Sequence, residues 1–255
     1  MRRSLVFEGL LTLAVLGLAC KAEANISIVT VPAGLGPGSQ YRLVFVTNDF
    51  TTATSSDISY YNGFATTEAD QNLALAALGG TWTAIASTQT TDAISNIGEP
   101  PNVAVYDLEG NEVAGSTASM FAAPWLSHDI EYNQLGDVVD PHDNAVWTGT
   151  ESDGTSAAFD VNGCLALGCP APGSSAIGAS LGSVGTPIWI NQTSYSQSTP
   201  ESIYAISSVL TVPALITPEP SFLTPLAIGL GALCMLRPAS RRILRGRRKT
   251  ASRIG

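Results

Sequence analysis

The amino-acid sequence predicts an α+β domain with short, mostly antiparallel strands and one main helix. Short runs of alternating β-branched and aromatic residues recur along residues 25–217, and turn residues separate them, which is typical of strands. One segment, 66–80, places acidic residues first, Leu and Ala next, and two glycines last, which is the pattern of a helix and its stop. No repeat with a period of about 20–50 residues is evident.

The order of these segments places the helix early and most of the strands late. The helix is predicted to begin with Thr66 or Thr67 as its N-cap and to stop at Gly79 and Gly80. A turn is predicted at Glu109–Asn111, inside a hairpin. Strands are predicted within 41–47, 81–88, 102–114, 144–155, 186–193 and 201–214.

The N-terminal residues have the features of a secretory signal peptide. Arg2 and Arg3 precede an apolar run at Gly9–Cys20, and an A-x-A site follows at Ala22–Ala24. We therefore predict a signal peptide at residues 1–24, with cleavage after Ala24. Two alternatives remain open: a lipoprotein anchored through Cys20, and an uncleaved membrane anchor.

The C-terminal residues combine an uncharged run with a basic tail. Pro220–Leu236 contains no charged residue, and its 17 residues would form a helix of about 25 Å, marginally long enough to cross a bilayer. By the positive-inside rule, the tail stays in the cytoplasm and the preceding domain lies outside. A nucleic-acid-binding tail is the alternative. The basic cluster comprises Arg237, Arg241, Arg242, Arg245, Arg247 and Arg248.

Pro218, Glu219 and Pro220 stand directly before this run, and the three parts together resemble the PEP-CTERM sorting signal of bacterial surface proteins. The resemblance implies processing by an exosortase, a membrane protease/transpeptidase, and delivery to the cell surface or an extracellular polymer matrix. The chain then divides into a signal peptide (1–24), an exported domain (25–217) and a sorting signal (218–255). The last part comprises the motif, a transmembrane segment (220–236) and a basic tail (237–255).

The exported domain is strongly acidic. Three of the 12 Lys and Arg residues precede Asn25 and eight follow Thr217, which leaves Arg42 alone between them. Three of the 21 acidic residues also lie outside, so 18 remain and the formal charge of the domain is −17. Such a domain repels nucleic acid, so no nucleic-acid partner is predicted. It attracts divalent cations.

Two cysteines of the domain lie five residues apart. Cys164 and Cys169 could close a small disulfide loop in an oxidising compartment. Free thiols and a metal site are the alternatives, although a metal site needs two further ligands with suitable spacing.

Several segments of the domain resemble endostatin-like members of the C-type-lectin-like fold. They are "VYDLEGNEVA" (105–114), "AVWTGTESDGTSA" (145–157), "IWI" and "YAISSVLTVP" (204–213), with Trp147, Gly149, Asp153 and Gly154 as anchors. The front half also resembles PEP-CTERM proteins that carry this module. The resemblance implies a C-type-lectin-like domain in which a late strand returns to pair near the start of the domain.

The richest group of candidate metal ligands lies in "GDVVDPHDN" (136–144). Carboxylate and amide oxygens at this spacing could hold one Ca²⁺ ion, and a solvated acidic loop is the alternative. No other cofactor is predicted. The candidate ligands are Asp137, Asp140, Asp143 and Asn144, and His142 lies among them.

Signals of catalysis are few, and we predict that the domain is not an enzyme. Ser127, His128 and Asp129 are the residue types of a catalytic triad, but adjacent residues rarely point at one another as a triad requires. The sequence contains no G-x-S-x-G elbow, H-E-x-x-H pair or phosphate loop.

The sequence therefore predicts an exported surface or matrix protein whose domain binds a ligand or has a structural role. A glycan is a candidate ligand, because tryptophan can stack on sugars. We predict that Trp82 and Trp147 belong to the core and that Trp125 is the most exposed tryptophan. The expected partners are signal peptidase, an exosortase and the membrane. The alternative is a secreted hydrolase acting on extracellular polymer.

Overall fold

The computed structural model describes residues 28–139, 145–159, 163–170, 175–180 and 185–214. They form a mixed α/β fold in which a nine-stranded sheet is accompanied by few helices. The chain divides after Pro213 into two units, and the sheet and helices belong to the first. Within the described ranges, no helix has both the length and the apolar character needed to cross a membrane. The predicted signal peptide, sorting motif, membrane span and basic tail lie outside these ranges.

The sheet is built from short strands. Its order is β4–β3–β1–β8–β5–β6–β7, with β2 also paired to β8 and β9 to β1. The pairs β1–β3 and β5–β8 are parallel, and the other pairs are antiparallel. The strands are β1 (Gln40–Val46), β2 (Trp82–Ala84), β3 (Val105–Tyr106), β4 (Glu112–Ala114), β5 (Ala145–Trp147), β6 (Ser175–Ser180), β7 (Thr193–Ser196), β8 (Ser202–Ser207) and β9 (Leu210–Thr211).

Strand β1 lies inside the sheet and separates two hydrophobic clusters. Val44 and Val46 belong to one cluster, whereas Leu43 and Phe45 belong to the other. Because both faces are covered, every residue of β1 after Gln40 is buried. β8 and β9 both pair antiparallel with β1, so the end of the described chain returns to its beginning.

The main helix, α1, spans Ile58–Asp70 and begins earlier than predicted. Asp57 is its N-cap, because the Asp57 carboxylate accepts a 2.9 Å hydrogen bond from the backbone N–H of Ser59. The prediction of Thr66 or Thr67 as the cap is wrong. Both lie inside α1, where the hydroxyl of Thr66 donates to the carbonyl of Trp82.

Two short helices follow, α2 (Leu73–Ala76) and α3 (Ala93–Asn96). The Asn72 side chain accepts a hydrogen bond from Ala74 N–H and so begins α2, which splits the single helix predicted for this region. Gly79 ends the helical region in a left-handed conformation, with φ of 66°, as its sequence position indicated.

The strand predicted across residues 186–193 is wrong except at its last residue. Pro187–Trp189 forms a 3₁₀ helix, and β7 begins only at Thr193. Proline suits the first turn of a helix because it has no N–H to donate. The turn inserts Trp189 into the core, where its ring centroid lies 5.9 Å from that of Phe121 and 5.8 Å from that of Tyr204.

The tryptophans are distributed as the sequence predicted. Trp82 and Trp147 are buried, and the indole N–H of Trp147 donates to the carbonyl of Thr199 at 3.1 Å. Trp125 is half-buried against the core. It is the one non-glycine residue of the described ranges with a positive φ, at 59°. Bulky residues seldom adopt this backbone conformation.

Arg42 is buried although it is the one basic residue of the domain, with 2% of its surface exposed. Its guanidinium donates to the carbonyls of Ile97 (2.6 Å), Gly98 (3.2 Å) and Glu99 (3.2 Å). These carbonyls follow α3, whose C-terminal carbonyl groups lack partners within the helix. Burial lowers the pKa of Arg42, and the charge of Glu99 opposes that shift. The described surface therefore displays no lysine or arginine charge.

Candidate functional site

A group of polar side chains surrounds the turn between β3 and β4, and we call it the turn cluster: Asp107, Glu109, Asn111, His128 and Tyr132. Asp107 is its buried centre, with no exposed surface. Its Oδ1 accepts hydrogen bonds from the backbone N–H groups of Glu109 (2.9 Å) and Asn111 (2.8 Å), and its Oδ2 accepts one from Asn111 Nδ2 (3.0 Å). The turn geometry therefore fixes this carboxylate in one orientation.

His128 contacts the buried carboxylate from the solvent side. Its Nδ1 lies 3.2 Å from Asp107 Oδ2 and 3.2 Å from the backbone carbonyl oxygen of Asp129. The side chain of His128 is 37% exposed. A buried carboxylate that orients a half-exposed imidazole through Nδ1 is the arrangement that general-base histidines use.

Ser127 does not complete a triad with this pair. Its hydroxyl donates to the backbone carbonyls of Glu112 (2.7 Å) and Val113 (3.0 Å), along strand β4. The triad residue types Ser127, His128 and Asp129 are therefore adjacent only in sequence. The histidine has a carboxylate partner, and that partner is Asp107 on another element.

Tyr132 and Glu109 form the exposed side of the turn cluster. The Tyr132 hydroxyl donates to Glu109 Oε2 at 2.6 Å. This hydrogen bond is the main cause that raises the pKa of Tyr132 to about 12, and burial adds to it. The same bond, with one from Asn111, lowers the pKa of Glu109. The cluster thus offers a phenol, a carboxylate and an imidazole to solvent, which suits hydrogen bonding to a polyhydroxylated or cationic molecule.

The predicted calcium loop is described only in part. Asp137 is exposed, and its backbone N–H donates to Asn133 Oδ1 at 3.0 Å. The other predicted ligands, Asp140, Asp143 and Asn144, lie outside the described ranges. Among the residues that the structure does describe, no group of three or more His, Cys, Asp or Glu side chains could hold a metal ion.

The residues that carried the lectin resemblance occupy structural positions. Trp147 is buried, and a Cβ on Gly149 would lie 2.5 Å from the Ser87 carbonyl oxygen. Asp153 accepts hydrogen bonds from the backbone N–H and the hydroxyl of Thr155. Gly154 has a φ of 85° and packs against Phe121. These contacts fix the 148–155 turn beside β5.

Cys164 and Cys169 are joined in a disulfide. Both pack with Ala158 and Ala166 in a small hydrophobic cluster apart from the two main ones. The bond therefore closes a local loop rather than linking distant parts of the described fold.

A second polar cluster joins α1 to the chain that follows β1. Glu68 is buried, and its Oε2 accepts hydrogen bonds from Asp49 N–H (3.0 Å) and from Gln134 Nε2 (2.7 Å). Its Oε1 accepts one from Gln71 Nε2 at 2.6 Å. Burial is the main cause of the raised pKa of Glu68, and the negative charge of Asp49 raises that pKa further. The hydrogen bonds to the Glu68 carboxylate oppose the shift, because they lower the pKa.

We expect the stability of the domain to fall as the pH rises above the ordinary glutamate value of 4.5, in part because of Glu68. Since its folded-state pKa is raised, the folded chain binds more protons than the unfolded chain in that window. Glu68→Gln should remove this part of the decline. Urea unfolding between about pH 3 and pH 7 measures it.

Glu109→Gln is the matched control, because the pKa of Glu109 is lowered in the folded state. Its ionised form stabilises the fold above the unfolded pKa, and that stabilisation is lost as the pH falls. The two substitutions should therefore change the pH slope in opposite directions. Equal changes would contradict the assignment of Glu68 as the buried carboxyl with the raised pKa.

Comparisons with known proteins assign no family to this chain. No family model matches it, and no curated protein matches it.

Proposed function

We propose that the chain is an exported bacterial surface or matrix protein, processed by an exosortase, whose domain binds a ligand or has a structural role. The observation that carries the proposal is the distribution of charge. Eight of the 12 basic residues follow an uncharged run after Pro218-Glu219-Pro220, whereas the one basic residue of the domain is buried. This separation is the one expected of a chain whose domain is translocated and whose tail is retained.

We further propose that the domain has a C-type-lectin-like fold. In support, β8 and β9 return to pair with β1, which is the arrangement that the resemblance implies. The disulfide between Cys164 and Cys169 suits an oxidising compartment outside the cytoplasm.

The proposed ligand is an extracellular glycan, with Ca²⁺ as a candidate partner at Asp137, Asp140, Asp143 and Asn144. Trp125 and the turn cluster supply a surface aromatic ring and hydrogen-bonding groups. A glycan array and calorimetry with Ca²⁺, both on the full chain, test this proposal. Trp125→Ala should weaken glycan binding and Asp137→Asn should weaken Ca²⁺ binding. If neither ligand binds, the binding role is wrong and a structural role remains.

The alternative function is a secreted hydrolase, and the contact between Asp107 and His128 favours it. His128→Gln should then abolish turnover of extracellular polymer, whereas Ser127→Ala should leave it intact because that hydroxyl is bonded to backbone carbonyls. His142→Ala tests the acidic loop in the same assay. Binding without turnover in the wild-type chain would reject the hydrolase.

Replacing Pro218, Glu219 and Pro220 together by alanine should block C-terminal processing. The full-length chain is then expected to accumulate in the membrane fraction, because the uncharged run and its basic tail are retained. Pro213→Ala is the matched control, since it changes a nearby proline outside the motif. Immunoblotting of cell fractions measures the outcome, and normal processing of the triple variant would contradict the assignment of the motif.

A further inference from the structure

We propose that the edge strand β7 pairs with β7 of a second copy of this chain, so that two sheets join side by side. β7 ends the sheet, because β6 is the one strand paired with it among the described residues. Three of its four residues are exposed. Such an edge presents unpaired backbone N–H and C=O groups, which are a template for a further strand. This pairing requires neither export nor a glycan ligand.

The opposite end of the sheet, strand β4, is closed to a partner of this kind. Ser127 N–H donates to the Val113 carbonyl at 2.8 Å, and the Ser127 hydroxyl donates to the carbonyls of Glu112 and Val113. The chain therefore covers part of this edge with its own polar groups, and Glu112 adds a charge to it. β7 has neither protection, since it contains no proline and no charged residue.

Contacts with the core hold β7 in place before any partner binds. The ring of Tyr195 packs edge-on against that of buried Trp147, with centroids 6.0 Å apart and planes at 80°. Just after the strand, the Gln197 carbonyl accepts from Ala53 N–H at 2.8 Å, and the Thr199 carbonyl accepts from the Trp147 indole at 3.1 Å. Because the strand is already anchored, pairing costs little conformational entropy.

The distribution of charge identifies the partner as a second copy. Residues 161–200, which include β6 and β7, contain no Asp, Glu, Lys or Arg, although the domain carries −17. A basic partner would be attracted to acidic parts of the surface rather than to this uncharged edge. A second acidic copy, by contrast, is repelled least at this edge. Strand β8 lies three strand spacings inward, about 14 Å away, which exceeds the Debye length of about 8 Å at physiological salt.

The dimer is expected to be weak and to strengthen with salt. A strand of four residues buries less than the about 1,200 Å² that stable interfaces require. Two carboxylates also flank the strand. Glu151 accepts a 2.6 Å hydrogen bond from Asn191 Nδ2, and Glu201 follows the uncharged segment directly. Repulsion between these groups and their copies across the twofold axis is screened as the ionic strength rises.

Sedimentation velocity of the full chain in a mild detergent, from about 1 to about 300 µM, tests the pairing. The association constant should rise at least about fivefold between about 0.02 M and 0.3 M NaCl. Ser194→Asp should lower it at least about tenfold, because one substitution places two carboxylates near the twofold axis. Ser59→Asp is the matched control, since it adds the same charge at an exposed position on α1 and should leave association unchanged.

Spin labels locate the interface, since the chain could also associate through its C-terminal residues. Cys20→Ala and Cys234→Ala leave the native disulfide as the remaining cysteine pair, and one nitroxide is attached at Gln192→Cys, an exposed position beside β7. Antiparallel pairing of β7 places the two labels of a dimer within about 30 Å of each other. A monomer at every concentration in 0.3 M salt, equal weakening by both Asp substitutions, or a longer distance between the labels would each overturn the proposal.

Discussion

Gly168→Ala is expected to lower the unfolding free energy of the domain by more than about 3 kcal/mol, a large part of the stability of a typical domain. Gly168 has a φ of 71°, which side chains rarely adopt, and an added Cβ would overlap the backbone of Ser55 and Ser56. The chain cannot move aside easily, because Gly168 N–H donates to the Ala53 carbonyl at 2.7 Å. Circular dichroism during urea unfolding measures the loss.

Gly79→Ala is the matched control for this substitution. Gly79 has a similar φ of 66°, but no atom lies within 4 Å of the position of its Cβ. The control should therefore cost only the strain of the left-handed conformation, about 1 kcal/mol. If both variants lose the same stability, the close approach between residues 55–56 and residue 168 is wrong.

Arg42→Met is expected to cost about 2–4 kcal/mol of unfolding free energy. Methionine retains much of the buried volume but leaves the carbonyls of Ile97, Gly98 and Glu99 without their donor. Removing the guanidinium also removes the cost of burying its charge, so the net loss is smaller than three charged hydrogen bonds would suggest.

Arg42→Lys separates the effect of charge from that of geometry. A lysine ammonium retains the positive charge, but it cannot present the planar guanidinium fork to carbonyls on successive residues. Its stability should lie between those of Arg42→Met and the wild type in the same urea titration. A wild-type stability for Arg42→Met would show that the three hydrogen bonds contribute nothing net.

Local patterns predicted the strands better than the helices. The alternation of residues 41–47 and the Glu-Gly-Asn turn at 109–111 are local signals, and β1 and the β3–β4 hairpin appear where they placed them. The start of α1 is not evident from the sequence, because its N-cap, Asp57, stands in a polar loop without the periodic apolar residues that indicate a helix. The 3₁₀ turn at Pro187–Trp189 was missed because tertiary packing of Trp189 overrides its β propensity.

The turn cluster could not be predicted from the sequence, because its central contact joins distant positions. Asp107 and His128 lie on different elements, and only the folded chain brings them to 3.2 Å. In the sequence His128 stands beside Ser127 and Asp129, so a local pattern pairs it with the wrong carboxylate. The Asp-x-Glu-Gly-Asn pattern at 107–111 was the one available signal, since it predicts a carboxylate that accepts the N–H groups of its own turn.

Export of the chain with trimming at both ends is tested by the intact mass of the protein from cell-surface and extracellular fractions. We expect a species that begins at Asn25 and lacks the basic tail after Leu236. A full chain of 255 residues in the cytosolic fraction, with no trimmed species outside the cell, would contradict it.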